Sequence, residues 1–131
     1  MKTQSFPKGR RLLTNRGFKQ VIDGGTRASD GLLVVYACPN SLGYSRIGIS
    51  LGSKCGGAVV RSRLKRLIRE SFRLNSDRIP SGFDYVVLVS SNWPKKISGA
   101  VGPSDAAKKL TLAKVTDSLM ALTNRAGRNK R

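Results

Sequence analysis

Apolar residues recur at Val60, Leu64, Leu67, Ile68 and Phe72, spacings of four, three, one and four, which predict a helix packed along one side. At about 100° per residue, Arg61, Lys65, Arg69 and Arg73 descend the opposite side, with Arg66 beside them and Arg63 on the other flank. A shorter helix is predicted over 15–23, where Phe18, Val21 and Ile22 share a face, Asn15 supplies a cap and Gly24-Gly25 a stop. The run 31–38 is a β-branched strand with Leu32, Val34 and Tyr36 on one side. Residues 44–51 alternate as a half-buried strand does, and 83–90 form a third. The first two of these are expected to pair as an antiparallel hairpin through the turn at 39–43, and Thr26 to Asp30 reads as a polar turn. A last helix, capped by Ser104 or Asp105 and ended by Gly127, carries Leu112, Val115, Leu119 and Leu122. Between it and the third strand lies a loop rich in Ser, Gly and Pro, in which Trp93, beside Pro94, favours packing over base stacking.

Length and charge narrow this outline. With 131 residues and 39% hydrophobic content, the chain suits one domain with one core. Lys and Arg number 25 against seven acids, a formal charge of +18, so a nucleic acid is the expected partner. Surface helices ordinarily interleave both signs, whereas Glu70 is the lone acid among the cations of 61–73. Like charges one turn apart cost a few tenths of a kcal/mol per pair, which favours an external polyanion over simple solvation of that face.

The absence of histidine removes the usual general base and every Ser-His or Cys-His nucleophile. Cys38 and Cys55 stand alone, with no Cys-x-x-Cys spacing to suggest zinc or redox chemistry. Gly52, Gly56 and Gly57 surround Lys54 just before the basic helix, a plausible phosphate seat that lacks the Lys-Ser/Thr ending of a nucleotide loop. No apolar run approaches the ~20 residues that span a bilayer, and Met1 to Pro7 lacks the apolar segment of a secretory signal, so a cytoplasmic location is expected.

The stretch Ala58-Val59-Val60-Arg61-Ser62-Arg63-Leu64-Lys65-Arg66-Leu67-Ile68-Arg69-Glu70-Ser71-Phe72-Arg73 resembles the Arg-Asn-Arg signature helix of the protein subunit of bacterial ribonuclease P. Phe6-Pro7-Lys8, Arg11-Leu12, the Phe18 helix, Leu32 to Tyr36, Arg46-Ile47-Gly48-Ile49 and Phe83-Asp84-Tyr85-Val86-Val87 follow the same family order, so the resemblance reaches to about residue 122. Ser62 stands where the family usually has Asn, Ile22 where a second aromatic is common, and the loop 52–57 lacks two of the family's lysines.

That resemblance implies an α/β two-layer sandwich in the order α-β-β-β-α-β-α, with a four-stranded sheet and a left-handed βαβ crossover. It implies an RNA-binding domain over 1–124, a basic mobile tail over 125–131, and a subunit of an endoribonuclease whose RNA performs the hydrolysis. The RNA would bind most of the Mg²⁺, and the protein would assist removal of the 5′ leader of precursor tRNA. Catalytic RNA would be met by Lys54, Arg61, Ser62, Arg63, Lys65, Arg66 and Arg69. Phe18 and Tyr36 would line a cleft for the leader, between the first helix, the sheet and the signature helix. The expected partners are that RNA and precursor tRNA, with no obligate protein partner and no membrane. A structural ribosomal protein is the alternative that composition alone leaves open, and a nuclease using its own scattered acids is a more distant one.

Overall fold

Alternation along 33–39 separates the two faces of the sheet: Leu33, Val35 and Ala37 are buried on one side, while Val34, Tyr36 and Cys38 are half-buried on the other. The structure, a computed structural model, describes residues 15–128; the arm at 6–13 and the tail residues 129–131 lie outside the described residues. Its elements are α1 (Asn15–Gly24), β1 (Thr26–Ser29), β2 (Leu33–Pro39), β3 (Arg46–Ser50), α2 (Ala58–Leu74), β4 (Phe83–Val89), α3 (Gly102–Lys109) and α4 (Leu112–Arg128). The strands form one mixed sheet in the order β1-β2-β4-β3, in which only β3 and β4 run parallel.

Two pairings differ from the sequence expectation. Residues 26–29, read as a turn, form the edge strand β1, which pairs antiparallel with β2 from Thr26↔Ala37 to Ser29↔Val34. The expected hairpin of β2 with β3 does not form; β2 pairs instead with β4, and β3 lies on the far side of β4 as the other edge. The connection through α2 explains this, because a helical crossover returns the chain parallel to β3 and inserts β4 between it and β2. Leu32 does not share a side with Val34 and Tyr36. It precedes β2 and is buried in the core on the opposite face.

The large core joins Leu33, Val35, Tyr85 and Val87 of the sheet to Val60, Leu64, Ile68 and Phe72 of α2 and to Val115, Leu119 and Leu122 of α4. Each such side chain removed from water contributes about 1.5–3 kcal/mol before entropy is charged against it. On the other face, α1 packs Val21 onto Val86, with Phe18, Ile22, Tyr36, Cys38 and Leu88 around them.

The expected last helix is two helices. Leu110 leaves the helical conformation, and the Thr111 hydroxyl accepts a hydrogen bond from the Lys114 N–H to start α4. Asp105 lies within the first turn of α3 and accepts from the Val101 N–H. At the other end, Gly127 does not stop α4. A Cβ there would lie 3.0 Å from a Pro80 side-chain atom, and neighbouring Ala126 is buried, so part of the expected tail is packed helix.

Candidate nucleic-acid interface

α2 starts from a tightly held loop. The glycine at position 56 has φ +143°, and a Cβ added there would meet Val60 Cγ1 at 2.7 Å, so both backbone and space demand Gly. The buried Trp93 indole donates to the Cys55 carbonyl at 3.0 Å, and Arg61 Nε donates to the Gly56 carbonyl at 3.2 Å. Trp93 is therefore a packing residue, and burial pushes the Cys55 thiol up, away from thiolate chemistry. Gly57 precedes the helix with no side-chain cap, so no side chain of the cap residue satisfies the first-turn N–H groups, and Lys54 in the loop before it is exposed.

Along α2, Val60, Leu64, Ile68, Ser71 and Phe72 are buried, as the stripe predicted, with Leu67 half-buried at its margin. Ser62, Arg66 and Arg69 are exposed, and Arg61 and Lys65 half-exposed. Among the described residues no carboxylate pairs with Arg61, Lys65, Arg66 or Arg69. Arg73 differs: it pairs with Glu70.

Arg63 is also committed within the protein. Its Nε donates to the Ala107 carbonyl and its Nη2 to the Leu110 carbonyl at 2.9 Å, closing the C-terminal end of α3 onto α2. Its outer edge still shares a shallow groove with Ala58, Val59, Ser62 and Arg66. Val59 is 84% exposed there, an apolar rim on a basic surface.

Phe18 and Tyr36 come together on the other side of the sheet, both half-buried beside Ile22, Cys38 and Leu88. α1 packs over β2 and β4 on this face; α2 packs against the opposite face, so it is not a third wall of the cleft that the resemblance implied. Cys38 was not foreseen in this cluster, although its place two residues after Tyr36 in a strand puts it on the same face. On the same face Arg46 grips Asp84 through Nε and Nη2 at 2.8 and 2.7 Å, and Asn40 Nδ2 adds a third bond to Asp84 at 2.8 Å. This network locks β3 to β4 and occupies the one carboxylate of that row.

Among the described residues, no three acids or cysteines gather closely enough to hold a metal ion. No described helix is long and apolar enough to cross a membrane.

A four-stranded mixed sheet with a basic helix on one face and a helix bearing Phe18 packed over Tyr36 on the other defines a small basic α/β fold. The family model described as Ribonuclease P matches residues 6–126. The chain belongs to the ribonuclease P protein family, and with it to a ribonucleoprotein of tRNA processing that includes an RNA subunit. It is 38% identical over 99 residues to the ribonuclease P protein component of Petrotoga mobilis, covering 76% of this chain and 84% of that one. To the corresponding protein of Clostridium acetobutylicum it is 36% identical over 122 residues, covering 92% and 91%. The solved RNase P protein of Thermotoga maritima superposes with a TM-score of 0.73 at 34% identity, covering 88% of this chain and 96% of that one. Family membership decides against the ribosomal alternative.

Proposed function

We propose that this protein binds the catalytic RNA of ribonuclease P through the exposed side of α2 and the loop before it, using Lys54, Arg61, Ser62, Lys65, Arg66 and Arg69, with the outer edge of Arg63. In this reading Phe18 and Tyr36 hold the single-stranded 5′ leader of precursor tRNA. The RNA, with its bound Mg²⁺, carries out the hydrolysis. The observation that carries the reading is the separation of the two surfaces: the α2 cations without carboxylate partners and the aromatic pair beside α1 lie on opposite faces of one sheet, so one molecule can engage two RNAs at once.

The chemistry of each surface suits its role. Cations without carboxylate partners neutralise phosphates and release counterions, giving affinity that falls steeply with salt. Half-exposed aromatics stack on bases, worth about 1–3 kcal/mol per base and tolerant of sequence, as a leader site needs. The Arg46–Asp84–Asn40 network holds the cleft floor rigid while leaving no free carboxylate in that row to repel phosphate.

Cleavage of precursor tRNA at low Mg²⁺ tests this. The purified protein alone should not cut, the RNA alone should cut slowly, and the two together should cut faster. Cleavage by RNA-free protein at the rate of the mixture would refute it.

A further inference from the structure

We propose that Arg27 is a phosphate-binding residue of the aromatic cleft, holding the backbone of single-stranded RNA whose bases stack on Tyr36. The inference rests on reading that cleft as the leader site. It adds a residue on the far edge of the sheet and a direction in which the strand leaves.

Strand parity places the side chain. On either side of Arg27, Thr26 donates its hydroxyl to the Ala126 carbonyl of α4 at 2.7 Å, and Ala28 is buried in the core on the face that α4 covers. Arg27, between them, projects from the opposite face, the one that carries α1. Register then sets its neighbour: Arg27 lies directly across from Tyr36 in the β1–β2 pair. Side chains so opposed have Cβ atoms about 4.5–5.5 Å apart. A base stacked on Tyr36 therefore has its backbone within reach of a side chain as long as arginine's.

Arg27 is also free to act. It is exposed, and among the described residues no carboxylate pairs with it, whereas Arg46 is held by Asp84 and Lys19 by Asp23. Among the described residues β1 is an edge strand with no strand paired beyond it, and Arg27 on it is exposed. A planar guanidinium binds phosphate through two parallel hydrogen bonds and reads no base. Stacking on Tyr36 and phosphate capture by Arg27 would together guide the strand outward across β1.

The test is binding of a single-stranded RNA of about ten nucleotides to the full chain, measured across a salt series. Arg27→Ala should weaken binding about fivefold at low salt, and the slope of log affinity against log salt should fall by about 0.7, as expected for one lost phosphate contact with a single strand. Arg27→Lys should keep the slope. Lys114→Ala removes an equal charge from an exposed site on α4 and should leave the slope unchanged. If Tyr36→Leu weakens binding while Arg27→Ala does not, or if Lys114→Ala lowers the slope equally, the role of Arg27 is overturned and the cleft stands. If Tyr36→Leu and Phe18→Leu leave binding intact, the cleft reading fails and takes this inference with it.

Discussion

Trp93 and Cys55, far apart in the chain, meet through the indole Nε1–H and the carbonyl oxygen at 3.0 Å, tying the turn after β4 to the loop that launches α2. The indole is fully buried, so the carbonyl has no water to replace it. Trp93→Phe keeps a ring but removes the donor. It should lower stability by about 1–3 kcal/mol, read by urea unfolding, through an unpaired carbonyl and the lost ring volume. Affinity for catalytic RNA should fall at temperatures where the variant is still folded, because the loop holding Lys54 is no longer fixed.

Arg63 and Arg66 are three residues apart in the same basic run, yet they should fail differently. Arg63→Ala removes two hydrogen bonds that close α3 onto α2 and should cost about 1–3 kcal/mol in urea unfolding. Arg66→Ala, at an exposed position, should change stability by less than about 0.5 kcal/mol and lower the salt slope for catalytic RNA by about one. Equal stability loss in both would show that Arg63 does not hold α3.

Asp30 gives a pH dependence. Burial pushes its carboxyl up, but the Ser118 hydroxyl at 2.6 Å and the N–H groups of Leu33 and Leu32 outweigh this, with Lys96 adding attraction, and hold it below the ordinary carboxylate range. A depressed folded value means stabilisation that is complete above the unfolded aspartate's pKa of about 3.9 and is lost as pH falls through the folded value. Asp30→Asn should therefore be less stable than the parent chain near neutrality, by about 1 kcal/mol, the scale of hydrogen bonds weakened by loss of charge. The gap should narrow below pH ~3.9. A gap independent of pH would remove the carboxylate from the account.

Where the residues signal through their own periodicity, the sequence was enough. The buried stripe of α2 and the helix bearing Phe18 follow from apolar spacing alone. β1 gave no such signal, since Thr26-Arg27-Ala28-Ser29 has one buried apolar residue and becomes a strand only because β2 lies beside it. The β2–β3 hairpin was expected because a turn joins them, but strand order is decided by the crossover through α2, which no local pattern reports. Arg63 looked like its basic neighbours because its partners, the carbonyls of Ala107 and Leu110, lie more than forty residues away. The break between α3 and α4 was hidden for a similar reason: Thr111 caps as well as Ser104 or Asp105 would.

The central claim is that two faces of one sheet serve two RNAs, and one experiment addresses it directly. Two double variants, Arg66→Ala with Arg69→Ala and Phe18→Leu with Tyr36→Leu, are titrated against catalytic RNA. Each reconstituted enzyme is then titrated with precursor and with mature tRNA. The account predicts that the arginine pair weakens assembly with the RNA, while the aromatic pair leaves assembly unchanged and removes the preference for precursor over mature tRNA. Loss of both properties to the same degree in both variants would contradict it.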